Sequence, residues 1–165
     1  RDLARVVEDP PQLPPVKRAG ETLLKKRIEE MAIGEKIALA RIAGPGVIPA
    51  LRVDLHPDVI AALLINPRLT EEEVLAICIE ERASPAALSV VGSNSRWSGR
   101  HAVRMALLRN AATPAKVSLG FLDALGGADL REIIALPSTQ RLVRATARQL
   151  LKSRDAMVDR RKVVS

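Results

Sequence analysis

The chain has 165 residues, 47% of them hydrophobic and 27% charged, the size of one globular domain and enough to bury roughly two-thirds of its unfolded surface. Tyr is absent, and Trp97 and Phe121 are the only aromatics, which argues against base-stacking platforms, aromatic sugar troughs and methyl-lysine cages. Two His and one Cys leave almost nothing for a thiolate- or histidine-rich metal site, and the net charge of +7 invites an acidic partner.

Residues 1–16 carry Pro10, Pro11, Pro14 and Pro15, a density that predicts an extended arm or linker. A first helix is expected from Lys17 to Met31, with Leu23, Leu24 and Ile28 as its apolar stripe and Gly34 ending it. A recurring grammar follows. Ala62-Leu63-Leu64-Ile65-Asn66-Pro67 runs into Leu69-Thr70-Glu71-Glu72-Glu73-Val74, and Ala106-Leu107-Leu108-Arg109-Asn110 runs into Thr113-Pro114-Ala115-Lys116-Val117. Asn66 and Asn110 are 44 apart, Gly44 precedes Asn66 by 22, and Ile133 to Ser138 is a final echo. Periods of this kind indicate stacked helical hairpins.

The punctuation has physical causes. Thr70 with Glu73 reads as a capping box. Ser84-Pro85 and Thr113-Pro114 read as N-cap hydroxyls before a proline suited to the first helical position, and Ser138 as a further N-cap. Val59 to Ile65 is apolar all round, so that helix must be covered on several sides. Cys78, within Val74 to Ile79, reads as a buried hydrophobe. No apolar run reaches the length of a bilayer span and no signal peptide is visible, so a cytoplasmic protein is the default expectation. The expected architecture is all-α, without a sheet: a right-handed α-solenoid of short stacked hairpins over residues 17–152, followed by a charged tail at 153–165.

Capped short hairpins at this period resemble HEAT-like and variant leucine-rich-repeat α-solenoids. The stretches Asn66-Pro67-Arg68-Leu69-Thr70 to Val74, Ser95-Arg96-Trp97 and Val103 to Asn110 are similar to a group of uncharacterised bacterial helical-repeat proteins. The resemblance covers roughly residues 35–151 and implies a surface presented to partners. The iron–sulfur variant of the leucine-rich-repeat proteins carries a cysteine cluster, and a lone Cys78 does not imply one.

Catalytic patterns are sparse. His56 precedes Pro57 at a loop, and His101 follows Arg100 on a helix surface, neither with a metal-ligand neighbour at i+4. Glu71-Glu72-Glu73 occupies a helix first turn, where negative charge suits the macrodipole. Gly126-Gly127 reads as a helix–helix turn, and Ser89 has no nucleophile-elbow context. No cofactor, no metal and no enzymatic activity are therefore expected.

The basic residues are uneven: residues 96–165 hold 14 Lys and Arg against 5 Asp and Glu. Arg141, Arg144, Arg148 and Lys152 fall within an arc of about 80° on one helix, with Leu142, Val143, Leu150 and Leu151 expected on the other side. Arg100 and Arg104 are one turn apart, with Arg96 just before them. Together these seven form the candidate binding surface, suited to phosphate or carboxylate, or else simply a solvated face. Trp97 fits either a plug over the hydrophobic seam, the preferred reading, or a surface anchor. The functional expectation is a non-enzymatic module that binds a protein partner. The alternative is nucleic-acid or other polyanion binding through the C-terminal arginines.

Overall fold

The structure, a computed structural model, describes the backbone of residues 14–163 and the side chains of residues 22–158. It is all-helical, with no strand among the described residues. The Pro-rich arm at 1–16 lies almost wholly outside them. Helix α1 spans Pro14–Glu30 and so begins earlier than Lys17, because prolines are tolerated in a first helical turn. It closes before Gly34, which belongs instead to the first turn of α2 (Ile33–Ile42), where the Glu35 carboxylate accepts from Ala32 N–H at 2.9 Å.

The remaining elements follow in quick succession: α3 (Ile48–Leu51) with a 3-10 turn over Arg52–Asp54, then α4 (Pro57–Leu64), α5 (Glu71–Ile79) and α6 (Pro85–Ser93). After them come α7 (Ser95–Ser98), α8 (His101–Arg109), α9 (Ala115–Leu122), α10 (Gly127–Ala135) and α11 (Arg141–Val163). Helix α11 runs through the residues that composition set apart as a charged tail.

Contacts sort most of these helices into two sets. In the first set, α2 packs on α4, α4 on α6, α6 on α9 and α9 on α11. In the second, the 3-10 turn packs on α5, α5 on α8, and α8 on α10. Helices of the first set begin at Ile33, Pro57, Pro85, Ala115 and Arg141, so 24 to 30 residues bring the chain back to the same set.

One turn device recurs at five of the junctions. The fourth residue of each turn donates its N–H to the first residue's carbonyl: Leu69 to Asn66 (3.2 Å), Ala83 to Glu80 (3.1 Å), Trp97 to Asn94 (3.1 Å), Thr113 to Asn110 (3.0 Å) and Thr139 to Leu136 (3.3 Å). In the first four, the side chain of the first residue also accepts from the third residue's N–H, at 2.8, 3.4, 3.1 and 2.9 Å respectively. Such side-chain turns are a standard use of Asn. The fourth position is buried every time, in Leu69, Ala83, Trp97, Thr113 and Thr139, so each turn drives one side chain into the seam. The 44 residues from Asn66 to Asn110 therefore span three of these units. The repeating unit is one helix and its turn, and the two asparagines close helices of opposite sets.

Two apolar clusters share α8. Val103, Ala106 and Leu107 join the larger one, which runs back to Ile28, while Met105 and Leu108 join the smaller, with Leu122, Leu130, Ile133 and Val143. The all-round apolar character of α4 is absorbed as its composition requires: Val59, Ile60, Leu63 and Leu64 are fully buried, although Ile65, just past the helix, is 62% exposed. Burial of each such side chain contributes about 1.5–3 kcal/mol.

Several capping expectations change on contact with tertiary structure. Thr70 Oγ accepts from Glu73 N–H at 3.4 Å, but the Glu73 carboxylate turns away to an ion pair with Arg52 at 2.6 Å, so only half of the capping box forms. Ser84 caps α6 as expected, accepting from Ala87 N–H. Thr113 does not cap α9; its hydroxyl donates to Leu107 O at 2.6 Å and seals the end of α8. Ser138 likewise donates to Arg109 O and caps no helix start.

Candidate interaction surfaces

Trp97 lies in the third of the buried turn positions named above and is 1% exposed. Its indole N–H donates to Leu64 O at 3.0 Å, at the end of α4. Trp97 is thus the plug and not a surface anchor. Arg96 and Arg100 both stack on its ring, with guanidinium carbons 4.6 and 4.7 Å from the centroid. Such cation–π contacts fix the guanidinium planes as well as screening the ring.

The charges around this turn are arranged as cross-helix pairs. Arg100 bonds the Glu71 carboxylate of α5, Arg52 meets Glu73, His101 lies 3.6 Å from Asp129 of α10, and Arg109 holds Glu132 through two nitrogens at 2.9 and 2.6 Å. Glu71 and Glu73 therefore serve the neighbouring elements in addition to the α5 dipole. Arg104 follows one turn after Arg100, is partly buried, and its Nε is buried without a hydrogen-bond partner.

The four cations of α11 also divide. Arg144 reaches back across the last turn and donates to the carbonyls of Leu136 (2.7 Å), Pro137 (3.1 Å) and Thr139 (3.1 Å), capping the end of α10. Arg154, which the sequence did not single out, does the same for α9, donating to Leu125 O and Asp123 O at 2.6 and 2.8 Å. Arg141, Arg148 and Lys152 are exposed. On the other face Val143 is buried and Leu150 and Leu151 pack on the smaller cluster, but Leu142 is 58% exposed and does not join them. The seven cations differ in engagement: Arg96 and Arg100 lie over Trp97, and Arg144 is a cap. Those of α7 and α8 are largely engaged, and α10 packs between α8 and α11.

One cleft was not legible in the sequence. It encloses about 490 Å³ between the C-terminal ends of α5 and α8 and the turn before α11, and is lined by Ile79, Ala106, Asn110, Ala111, Ala112 and Ser138, with Glu81 and Arg109 at its rim. Three of its polar liners are committed: Asn110 donates to Cys78 O (2.8 Å) and Glu80 O (3.2 Å), Ser138 to Arg109 O (3.1 Å), and Arg109 to the Glu132 carboxylate. Apart from the exposed Glu81, what remains is apolar, and Ile79 is 68% exposed. Among the described residues, no group of three His, Cys, Asp or Glu is placed to hold a metal, and no helix is long and apolar enough to cross a membrane. No protein-family profile matches this chain, nor does any curated protein or solved structure.

Proposed function

We propose that the chain is a non-enzymatic helical-repeat module, a right-handed α-solenoid of HEAT-like character, that presents its cleft to a protein partner. One observation carries the reading. The cleft is lined by Ile79, Ala106, Ala111 and Ala112, and its Asn110 and Ser138 are committed to the turns. A site of that kind gains little from a small polar substrate, but it desolvates well against an apolar side chain of a partner, the pattern of an interface anchor pocket. The two-set packing of the helices supports the solenoid reading, because each helix is covered by its predecessor and successor.

The experiment is affinity capture from a native lysate with the full chain and with an Ile79→Lys/Ala111→Lys variant, both positions being exposed and outside the core. A discrete partner retained by the native chain and lost from the variant supports the proposal. A partner held equally by both removes the cleft from consideration.

A further inference from the structure

A second surface stands apart from the cleft and shares no residue with it, so either can fail without the other. Helix α11 carries eight Lys and Arg against two Asp, which accounts for most of the chain's net +7. Its fold separates these cations by role. Arg144 and Arg154 are consumed as caps on α10 and α9. Arg141, Arg148 and Lys152 are exposed and make no hydrogen bond or ion pair with a described residue.

These three lie in a straight row. At 100° per residue they fall within about 40° of one another, and at 1.5 Å per residue the row is roughly 16 Å long. The exposed residues sharing that side include Ala145, Gln149, Asp155 and Ala156. A row of cations without an apolar or aromatic anchor lacks the buried centre on which protein interfaces depend. It matches a partner whose charge is repeated and whose recognition needs no anchor. Phosphates of one duplex strand recur every ~3.4 Å of axis, so a row of this length spans several, and flexible Arg and Lys stems select among them.

We infer that the outward face of α11 is a phosphate-backbone contact surface for nucleic acid, bound through Arg141, Arg148 and Lys152 without sequence readout. Release of counterions from about three phosphates gives a slope of about −2.7 in log affinity against log salt, an affinity loss of about 40-fold between 50 and 200 mM salt.

The test is fluorescence anisotropy of the full chain with a labelled mixed-sequence DNA duplex of about 20 base pairs across that salt range. The native chain is expected to show the slope of about −2.7, and each single change, Arg141→Gln, Arg148→Gln or Lys152→Gln, to lower its magnitude by about 0.9. The triple variant is expected to lose nearly all salt dependence while keeping its helical circular dichroism. Arg144→Gln is expected to keep the slope and lower the melting temperature, since that side chain is a cap. Absence of binding at 50 mM salt, or an undiminished slope in the triple variant, overturns the inference. So does a poly-glutamate peptide of equal charge that binds more tightly than the duplex, which would assign the face to an acidic protein.

Discussion

Replacement of Asn66 by Ala tests the turn device where it is most costly to break. Asn66 is 0% exposed, donates to Ala40 O at 2.8 Å and Ala43 O at 3.0 Å, and accepts from Arg68 N–H at 2.8 Å. It closes its own turn and ties the end of α4 to the end of α2. Alanine leaves the Ala40 and Ala43 carbonyls without that partner in a buried site and the Arg68 N–H in a partly buried one, and each unmade buried bond costs about 1–3 kcal/mol. Partial relaxation brings the expected loss to about 3–4 kcal/mol, a large share of the 5–15 kcal/mol typical of a domain. Asn110→Ala removes a matching set, to Cys78 O, Glu80 O and Ala112 N–H, but Asn110 is only partly buried. Water can take its place there, and the expected loss is about 1.5–2 kcal/mol. Urea unfolding followed by far-ultraviolet circular dichroism and by Trp97, the sole tryptophan, measures both. Equal losses, or a loss below about 1 kcal/mol for Asn66→Ala, would refute the assignment of that site as a buried inter-helix tie.

Three further outcomes are expected. A Cβ at Gly92 would collide with Val117 Cγ1 of α9, whereas one at Gly120 meets nothing within 4 Å; Gly92→Ala should cost about 1–3 kcal/mol, and Gly120→Ala should be neutral or stabilise by up to about 1 kcal/mol in thermal melts. Thr70→Ala should cost about 1 kcal/mol, because only the hydroxyl half of that cap exists, while Leu64→Asp should prevent folding, since Leu64 is 1% exposed. Burial pushes the Cys78 thiol up to about 12 from its ordinary value of 9.0, so alkylation at about pH 8 should proceed at the rate of unfolding alone. The fold favours the protonated thiol: its contribution is complete below about pH 8.5 and drains away as pH climbs toward 12, visible as falling stability in alkaline urea titrations.

Helix content was readable because local signals and tertiary need agreed. The all-round apolar run of α4 demanded burial and is buried; Ser84 before Pro85 starts α6. The period was harder to read. Asn66, Asn94 and Asn110 share the same side-chain turn, whereas at Glu80 a carboxylate takes the amide's part and at Leu136 the backbone bond alone forms it. A reader seeking Arg-apolar-Ser/Thr would have found Arg68-Leu69-Thr70, Arg82-Ala83-Ser84 and Arg96-Trp97-Ser98 at intervals of 14 residues. Helical spacing placed Arg144 correctly on its face but could not show that its guanidinium folds back onto carbonyls 8, 7 and 5 residues away. Glu73 illustrates the same gap, because Arg52 competes for a carboxylate that local rules assign to Thr70. The cleft was invisible since it assembles from the ends of α5 and α8 and the turn before α11, which are far apart in sequence.

Site-specific photo-cross-linking tests the central claim most directly. A photoreactive residue in place of Ala111, in the cleft, is compared with one in place of exposed Ala38 on α2, in cells that produce the chain naturally. A discrete protein adduct is expected from position 111 and none of that mass from position 38. The same adducts from both positions, or none from position 111, would contradict it.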